Sequence, residues 1–315
     1  MFTWPVISQI MWTGLATASY FVLFAIAFAL VLKVVNLFNF AQAGMMGIAF
    51  YATYWAVQDL GLSPLVAIPI GLVITLAATY LLESYGFRTL RFRRSSVMTF
   101  FIFTLVFSEF IAYVLTFLFG TFPQTLFEQI MWPVSMVGGV AISAWDTPAI
   151  GITVSVIVAL YVGLNYTRQG QFMLAVADNP DLAELYGIDK GRVFMVTLLV
   201  AGAIAFVGMC LYGARAQVHP TTTLDLLLFA VVATILGGIG NIFGAAVAAV
   251  VLNLVQSMSI LVLPSEWQGV LLYGFLFFAI IFMPNGFRLP KRRTRFETGT
   301  RELAEAKSVG ETGAG

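Results

Sequence analysis

Ionisable side chains are rare inside the apolar stretches of this sequence, and Glu109 is the clearest of them. It lies thirteenth in the apolar run 97–118, between Ser108 and Phe110. A carboxylate in such a run is costly inside a membrane and often marks a transport path. The Glu109 side chain could lie in one of three places: facing a water-filled path, against a hydrogen-bonding group of a neighbouring helix, or nearer the membrane surface.

Neutral amides form a second group of candidates for solute binding. An amide can hydrogen-bond a zwitterion or an amide solute without requiring a countercharge. The amides within apolar stretches are Asn36, Asn39, Gln42, Asn253 and Gln256.

Glycines lie near the same stretches and admit two interpretations. Gly240 and Gly244 make a small-xxx-small face, and Gly44 and Gly47 make a similar one near the other end of the chain. Such glycines let helices pack closely, and their backbone can also line a solute path between two structural repeats. Close packing alone explains each glycine equally well. The candidates for a solute path are Asn36, Asn39, Gln42, Gly44, Glu109, Gly238, Gly240 and Gln256.

Groups typical of catalysis are nearly absent. The single cysteine, Cys210, cannot form an intrachain disulfide, and together with the single histidine, His219, it makes a poor metal site. The sequence has no Gly-x-Ser-x-Gly, no His-Glu-x-x-His and no phosphate-binding Gly-x-x-x-x-Gly-Lys-Ser/Thr motif. We therefore expect no catalytic residues, no metal ion and no cofactor, and any ATP hydrolysis must occur on another polypeptide.

The composition indicates the elements that hold these residues. Hydrophobic residues make up 60% of the 315 positions and charged residues 10%, against about 25% charged residues in an ordinary soluble domain. A soluble core could not hide so much apolar surface, so the sequence predicts an all-α polytopic membrane protein. The formal net charge of +1 gives no reason to expect nucleic acid as a partner.

About 8–9 transmembrane helices are predicted from the apolar runs. Since a helix rises 1.5 Å per residue, about 20 residues cross the hydrocarbon. The runs are 8–32, 37–57, 64–82, 97–118, 148–164, 193–213, 225–240, 244–262 and 267–283. Two of them, 37–57 and 225–240, are short or rich in glycine, so one or both can be broken or re-entrant. No basic segment precedes the first run, which favours a retained helix over a signal peptide.

The distribution of basic residues tests this map, because Lys and Arg near helix ends stay on the cytoplasmic side. With the N-terminus outside and the runs alternating, 15 of the 16 basic residues fall in cytoplasmic segments, chiefly 83–96, 165–192 and the C-terminal tail. Only Arg215 lies outside. Two compensating errors, or one hairpin that fails to cross, would leave the same tally.

The map divides the chain into two parts. Residues 1–290 form the transmembrane domain, and 291–315 form a cytoplasmic tail whose composition is typical of disorder. Within the first part, 119–147 contains no Lys or Arg and carries Trp132 and Trp145, as expected of an external cap at the membrane surface.

The longest cytoplasmic connection of the first part carries the signals of a short helix over 180–186. Asp178 or Asn179 can cap it, Pro180 suits its first position, and Gly187 can end it. Acidic residues in the first turn suit the positive end of the helix dipole. Such a helix either only completes a loop or offers a rigid surface to a partner.

A family resemblance bears on this connection. The spacing of Gly170, Ala175, Asn179, Ala183 and Gly187-Ile188 resembles the cytoplasmic loop of LivH-type permeases of branched-chain amino acid ABC importers. In that family the loop docks on the ATPase. The resemblance therefore implies ATPase coupling for Ala175, Asp178, Asn179, Pro180, Ala183 and Gly187.

Three further stretches resemble the same family, in the same order along the chain. Residues 35–44 are similar to its Ile-Asn-Phe-Ala-His/Gln-Gly element, although Ala43-Gly44 replaces the usual Gly-Glu. Residues 233–245 are similar to its Gly-Gly-x-Gly-x-x-x-Gly segment. Residues 282–287 are similar to its closing Arg-Pro-x-Gly-Leu element, with Met283 where Arg is common. Together the four stretches span almost the whole sequence.

The resemblance implies the permease subunit of an ATP-driven ABC importer in the bacterial inner membrane, with a cytoplasmic C-terminus. Its partners would be a second homologous permease subunit, two cytoplasmic ABC ATPases, an extracytoplasmic solute-binding protein and the lipid bilayer; a homodimer is the alternative pairing. Branched-chain amino acids are the first expectation for the solute. Urea, short amides and small organic acids stay open, because the binding protein would set most of the selectivity.

Other functional classes fit the residues less well. An ion-coupled secondary transporter usually needs several intramembrane acids or histidines, and only Glu109 is available. A channel would be expected to show charged rings or a recognisable filter, and neither is evident. A membrane enzyme would need a catalytic pair that the sequence lacks.

Overall fold

The chain folds into a helical bundle in the computed structural model, which describes residues 4–127, 133–262, 264 and 267–282. Among these described residues, six helices are long and apolar enough to cross a membrane. This confirms the predicted class of a helical, polytopic membrane protein. The predicted tail, 291–315, and the predicted closing motif from Met283 onward lie outside the described residues.

The elements follow one another with short connections. In chain order they are α1 (Trp4–Val35), α2 (Ala41–Gln58), α3 (Pro64–Leu81), a π-helical turn (Leu82–Phe87), α4 (Arg88–Phe92), α5 (Val97–Phe119), β1 (Val134–Val137), β2 (Val140–Ser143), α6 (Asp146–Tyr166), α7 (Arg168–Asp178), α8 (Pro180–Leu185), α9 (Lys190–Gly213), α10 (Thr222–Gly237), α11 (Ile242–Ser259) and α12 (Gln268–Phe282).

Each of the nine predicted apolar runs corresponds to one helix. The six that are both long and apolar enough to cross are α1, α3 with its continuation to Phe92, α5, α6, α9 and α11. The other three are α2, α10 and α12. The 16 residues of α10 rise about 24 Å, less than the ~30 Å of the hydrocarbon layer. The helix for the run 225–240 is thus a short one.

The first helix forms the centre of the bundle. α1 packs against α6, α9, α10 and α11, and its residues 23–32 are at most 3% exposed. The chain then breaks after Val35, where Asn36 adopts a left-handed conformation with φ of 57°. Asparagine tolerates this region better than most residues. The break reverses the chain, so that α2 packs against α3, α5, α9 and α10.

One end of the bundle, called here the hairpin end, is built around β1 and β2. The two strands pair antiparallel, Val134 opposite Ser143 and Val137 opposite Val140. The Gln9 amide of α1 extends this hairpin, since its Nε2 donates to the Ala141 carbonyl (3.1 Å) and its Oε1 accepts from the Ala141 N–H (2.7 Å). The predicted cap, 119–147, therefore contains a small hairpin that the sequence did not predict.

A buried ion pair ties the hairpin end together. Asp146 is 3% exposed, and its Oδ1 lies 2.6 Å from Nη1 of Arg215. Its Oδ2 accepts hydrogen bonds from Trp12 Nε1 (3.1 Å) and the Ser143 N–H (3.2 Å). Arg215, the one basic residue that the topology places outside, is thus neutralised by a carboxylate and joins α1, β2 and α6 to the segment after α9.

The opposite end of the bundle carries Arg88, Arg91, Arg168 and Arg192, and it is called here the arginine end. The π-helical turn lies here, and its Glu83 is 2% exposed and forms a salt bridge with Arg91. The Arg91 guanidinium also lies 5.2 Å from the centroid of the Phe194 ring on α9. α7 and α8 complete this end.

Candidate functional site

The short helix α8 is a rigid unit at the arginine end. The Asn179 Oδ1 accepts from the N–H groups of Asp181 (3.1 Å) and Leu182 (3.0 Å), which makes Asn179 the cap. Pro180 occupies the first position. At the far end Gly187 has φ of 82°, and its N–H donates to the Glu184 carbonyl at 2.9 Å. The helix is one residue shorter than the prediction of 180–186.

Ion pairs link the exposed acidic side chains of α8 to Lys190 at the start of α9. The Nζ of Lys190 lies 3.0 Å from Asp181 Oδ1 and 2.7 Å from Glu184 Oε2. Asp189 caps α9 by accepting from the N–H groups of Gly191 and Arg192. α9 in turn packs against α1, α2 and α3. α8 is therefore linked, through the start of α9, to a helix that packs at the centre of the bundle.

Three exposed side chains of α8 and its end are apolar, and they lie beside the exposed acids Asp181 and Glu184. Leu182 is 50%, Leu185 85% and Tyr186 80% exposed. Ala183, by contrast, is 4% exposed and packs inward. Of the other predicted coupling residues, Asp178, Asn179, Pro180 and Gly187 are exposed and Ala175 is partly buried. A large substituent at Ala183 would disturb the chain itself, so a partner would contact the three apolar side chains instead.

The preceding helix, α7, supports α8 and was not predicted. Thr167 caps it, with its Oγ1 accepting from the Gly170 N–H at 3.1 Å. Its Met173 and Val176 are buried, and Gly170 lies against the backbone of Leu164 at the end of α6. The capping threonine and the spacing of 170, 173 and 176 are sequence signals that could have identified this helix.

The path candidate Gly44 on α2 packs closely against α5, the helix that carries Glu109. A Cβ at Gly44 would come within 3.2 Å of Ile111 Cβ and 3.4 Å of Ser108 Cα. Gly44 therefore has a packing role, because a larger side chain would push α5 away. Glu109 follows Ser108 directly, so its backbone lies beside this contact.

Two amide side chains that precede Gly44 are buried, and some of their polar atoms lack a hydrogen-bond partner among the described residues. Asn39 is 5% and Gln42 4% exposed. Asn39 Oδ1 and both polar atoms of the Gln42 side chain have no hydrogen-bond partner among the described residues. An unsatisfied buried polar group typically costs ~1–3 kcal/mol. Asn36, at the break, is exposed.

Glu109 points away from the chain. It is exposed on the outer face of α5, whose other exposed side chains include Ile102, Val106, Tyr113 and Phe117. Among the described residues nothing forms an ion pair or a hydrogen bond with its carboxylate. Of the three sequence interpretations, a partner on a neighbouring helix of the same chain thus receives no support within the described part.

The remaining path candidates lie elsewhere. Gly238 and Gly240, with φ of 96° and 89°, form the turn between α10 and α11. Gln256 lies on α11 toward the hairpin end, next to the Leu254 and Ser257 side chains that approach Gly14 of α1. The structure therefore does not gather all predicted path residues into one site. Asn253 has a structural role, since its Nδ2 donates to the Gly14 carbonyl at 2.6 Å.

The comparisons with known proteins point to one family. Residues 10–280 match the family model described as the permease component of branched-chain amino acid transport systems. The chain is 24% identical to BraD of Pseudomonas aeruginosa, a high-affinity branched-chain amino acid permease protein, covering 87% of this chain and 92% of the relative. It is 25% identical to LivH of Escherichia coli K12, with 88% and 94% covered.

A relative with another substrate in its name matches a smaller part. NupB of Lactococcus lactis, a nucleoside ABC transporter permease protein, is 28% identical over 156 residues, which cover 47% of this chain and 43% of that protein. The two relatives that match over most of their length are thus named for branched-chain amino acid transport, and the one that matches over less than half is named for nucleoside transport.

Proposed function

The chain belongs to the family of permease components of branched-chain amino acid transport systems, and from this we propose that it is the transmembrane permease subunit of an ATP-driven importer. The full-length likeness to BraD and LivH supports branched-chain amino acids as the solute. Urea and short amides are the second candidates, because the sequence departs from the usual Gly-Glu at Ala43-Gly44. We place the protein in the bacterial inner membrane.

The observation that carries this proposal is the apolar surface of α8. Leu182, Leu185 and Tyr186 are half to nearly fully exposed on a helix that is capped and held by ion pairs. α8 lies at the arginine end, which the positive-inside rule puts in the cytoplasm. Exposed apolar side chains on a rigid aqueous surface are typical of a protein interface. We propose that a cytoplasmic ABC ATPase covers them.

We place the solute path on the outer face of α5, against a second permease subunit. A charge at the centre of a span is expensive in lipid, so Glu109 calls for water or a protein donor beside it. The interior around α1 is tightly packed, which favours a path along the surface of the chain. A homologous permease that covers α5 would supply the other wall.

The remaining partners follow from the two ends of the bundle. We propose that an extracytoplasmic solute-binding protein docks at the hairpin end, and that two ATPases dock at the arginine ends of the two permeases. The C-terminal tail then lies in the cytoplasm. An ion-coupled secondary transporter is the second candidate function, and it would leave the apolar surface of α8 without a partner.

The interface on α8 is tested by Leu185→Ala, with Leu65→Ala as a matched control. Both leucines are almost equally exposed, 85% and 87%, but Leu65 lies at the start of α3, away from the arginine end. Removal of a central apolar contact typically costs ~1–2 kcal/mol, so Leu185→Ala should weaken ATPase association about tenfold. Copurification of the ATPase and ATP-driven uptake are the measurements, at equal membrane levels of the variants.

Two outcomes would contradict the proposal. Equal ATPase copurification for Leu185→Ala, Leu185→Glu and the parent would remove α8 from the interface. Uptake that continues with a hydrolysis-deficient ATPase would favour an ion-coupled transporter.

A further inference from the structure

A cavity of about 1000 Å³ opens at the arginine end, between residues 83–92 and the segment that joins α8 to α9. Its polar lining includes Arg88, Arg91 and Arg192, and its apolar lining includes Phe92, Phe172 and Val196. Neither the solute path nor the apolar surface of α8 accounts for this cavity. This mixed lining suits a ligand with both an anionic and an apolar part.

The positive charge of the cavity is only partly compensated. Arg91 is held by the buried Glu83 and lies against Phe194, so it forms a fixed wall. Arg192 lies 3.3 Å from Asp189, but the two side chains are 87% and 60% exposed, and such pairs are weak. Arg88 lies close enough to Glu83 to interact with its charge but forms no salt bridge among the described residues. Arg88 and Arg192 are therefore available to an anion.

The cavity lies where a lipid headgroup would be found. Arg88 and Arg91 stand near the end of the membrane-length segment Pro64–Phe92, and basic residues at that position adjoin the headgroups of the cytoplasmic leaflet. Tyr85 and Phe92 are 76% and 90% exposed beside them, as expected of aromatic side chains at a membrane surface. Val196 belongs to α9, which continues into the membrane.

We propose that this cavity binds the phosphate of an anionic phospholipid, with Arg88 and Arg192 at the phosphate and the apolar wall against the acyl chains. Tyr186 lines the cavity and also belongs to the exposed apolar surface of α8. A bound lipid would therefore lie next to α8 and help to hold its position. The inference does not depend on which solute the protein carries.

The proposal is tested by lipid retention in purified protein. Parent and variants are exchanged into detergent with equal phosphatidylglycerol and phosphatidylcholine, and the bound lipid is counted by native mass spectrometry. Basic residues near an anionic surface contribute ~1 kcal/mol each, so Arg88→Gln and Arg192→Gln should each reduce phosphatidylglycerol retention about fivefold. Arg168→Gln is the matched control, because Arg168 is an exposed arginine at the same end that does not line the cavity.

Further measurements distinguish a lipid phosphate from free inorganic phosphate as the bound anion. Arg88→Lys should keep most of the retention, and inorganic phosphate alone should not displace the lipid. Full displacement by inorganic phosphate would overturn the proposal in favour of a free-anion site. Equal loss with Arg168→Gln would show general charge attraction, and unchanged lipid retention with lost ATPase copurification would show a protein ligand. Thermal stability of each variant without added lipid identifies a variant that fails to fold, and Arg88→Lys then decides the question.

Discussion

At the scale of single residues, the position of Glu109 restricts what can lie beside the chain. It is the 13th of 23 residues in α5, near the middle of the span, and its side chain is exposed. The outer face of α5 is otherwise apolar and aromatic. Lipid is a favourable neighbour for those side chains but not for the carboxylate. We therefore expect a polar neighbour on this face only at the level of Glu109.

We expect Glu109→Gln to lower uptake about tenfold at normal expression, because it would remove the charge-assisted hydrogen bond, worth ~1.5 kcal/mol or more, that the proposed polar neighbour makes with this carboxylate. Glu109→Leu should be at least as severe. Asp59→Asn is the control, since it removes an exposed carboxylate at the end of α2. Uptake in reconstituted vesicles is the measurement. If Glu109→Gln and Glu109→Leu both transport like the parent, Glu109 has no part in the path.

The sequence identifies candidate residues by their type, but it does not show in which direction their side chains point. The sequence marks Glu109, Gln42 and Ala183 equally well as unusual positions. Only the packing of α2, α5 and α9 decides that Glu109 faces outward while Gln42 and Ala183 are buried. The ion pair between Asp146 and Arg215 joins residues 69 positions apart, and no local pattern indicates such a partner.

At the scale of elements, the turn between α10 and α11 depends on glycine. A Cβ at Gly237 would meet the backbone of Gly244 and Ala245. Because backbone atoms cannot move aside as a flexible side chain can, the two helices would have to separate. This contact brings the start of α11 against the end of the short helix α10.

Gly237→Ala should therefore destabilise the protein, by an amount typical of overpacking, ~1–3 kcal/mol. The control is Gly151→Ala in α6, where nothing lies within 4 Å of an added Cβ. Alanine there should be neutral or stabilising by up to ~1 kcal/mol, from helix propensity. Thermal unfolding in detergent measures both. Equal unfolding temperatures for the two variants would show that the turn adapts without cost.

The elements themselves could be predicted well wherever apolar length was the signal. The run 97–118 became α5 from Val97 to Phe119, and 64–82 became α3 from Pro64 to Leu81. The run 37–57 began four residues early, because the break at Asn36 depends on a backbone conformation that apolarity does not reveal. The hairpin β1–β2 was missed since its strands have only four residues each.

At the scale of the whole molecule, the two ends of the bundle differ in chemistry. Arg88, Arg91, Arg168 and Arg192 lie at one end, and the hairpin with its single neutralised Arg215 lies at the other. From the positive-inside rule we expect the arginine end to lie in the cytoplasm. The ATPase surface and the lipid cavity both depend on that orientation.

Single cysteines in a Cys210→Ala background should report the orientation directly. Phe92→Cys and Gln171→Cys at the arginine end should resist an impermeant thiol reagent in intact cells, and Met136→Cys in β1 should react. All three positions are exposed, so access to each depends on the membrane and not on packing. Inside-out vesicles should reverse the pattern. Labelling at 171 but not at 136 in intact cells would invert the orientation.

The central position of α1 has a consequence for how the chain is made. α1 is synthesised before α6, α9, α10 and α11, the helices that finally surround it. In the interval it must reside alone in lipid, where a helix is stable only if it is apolar on every side. Its uniform apolarity therefore serves the insertion step as well as the finished core. Later helices then displace lipid from α1, so a chain halted before α11 leaves one side of its central helix exposed to lipid and open to membrane proteases.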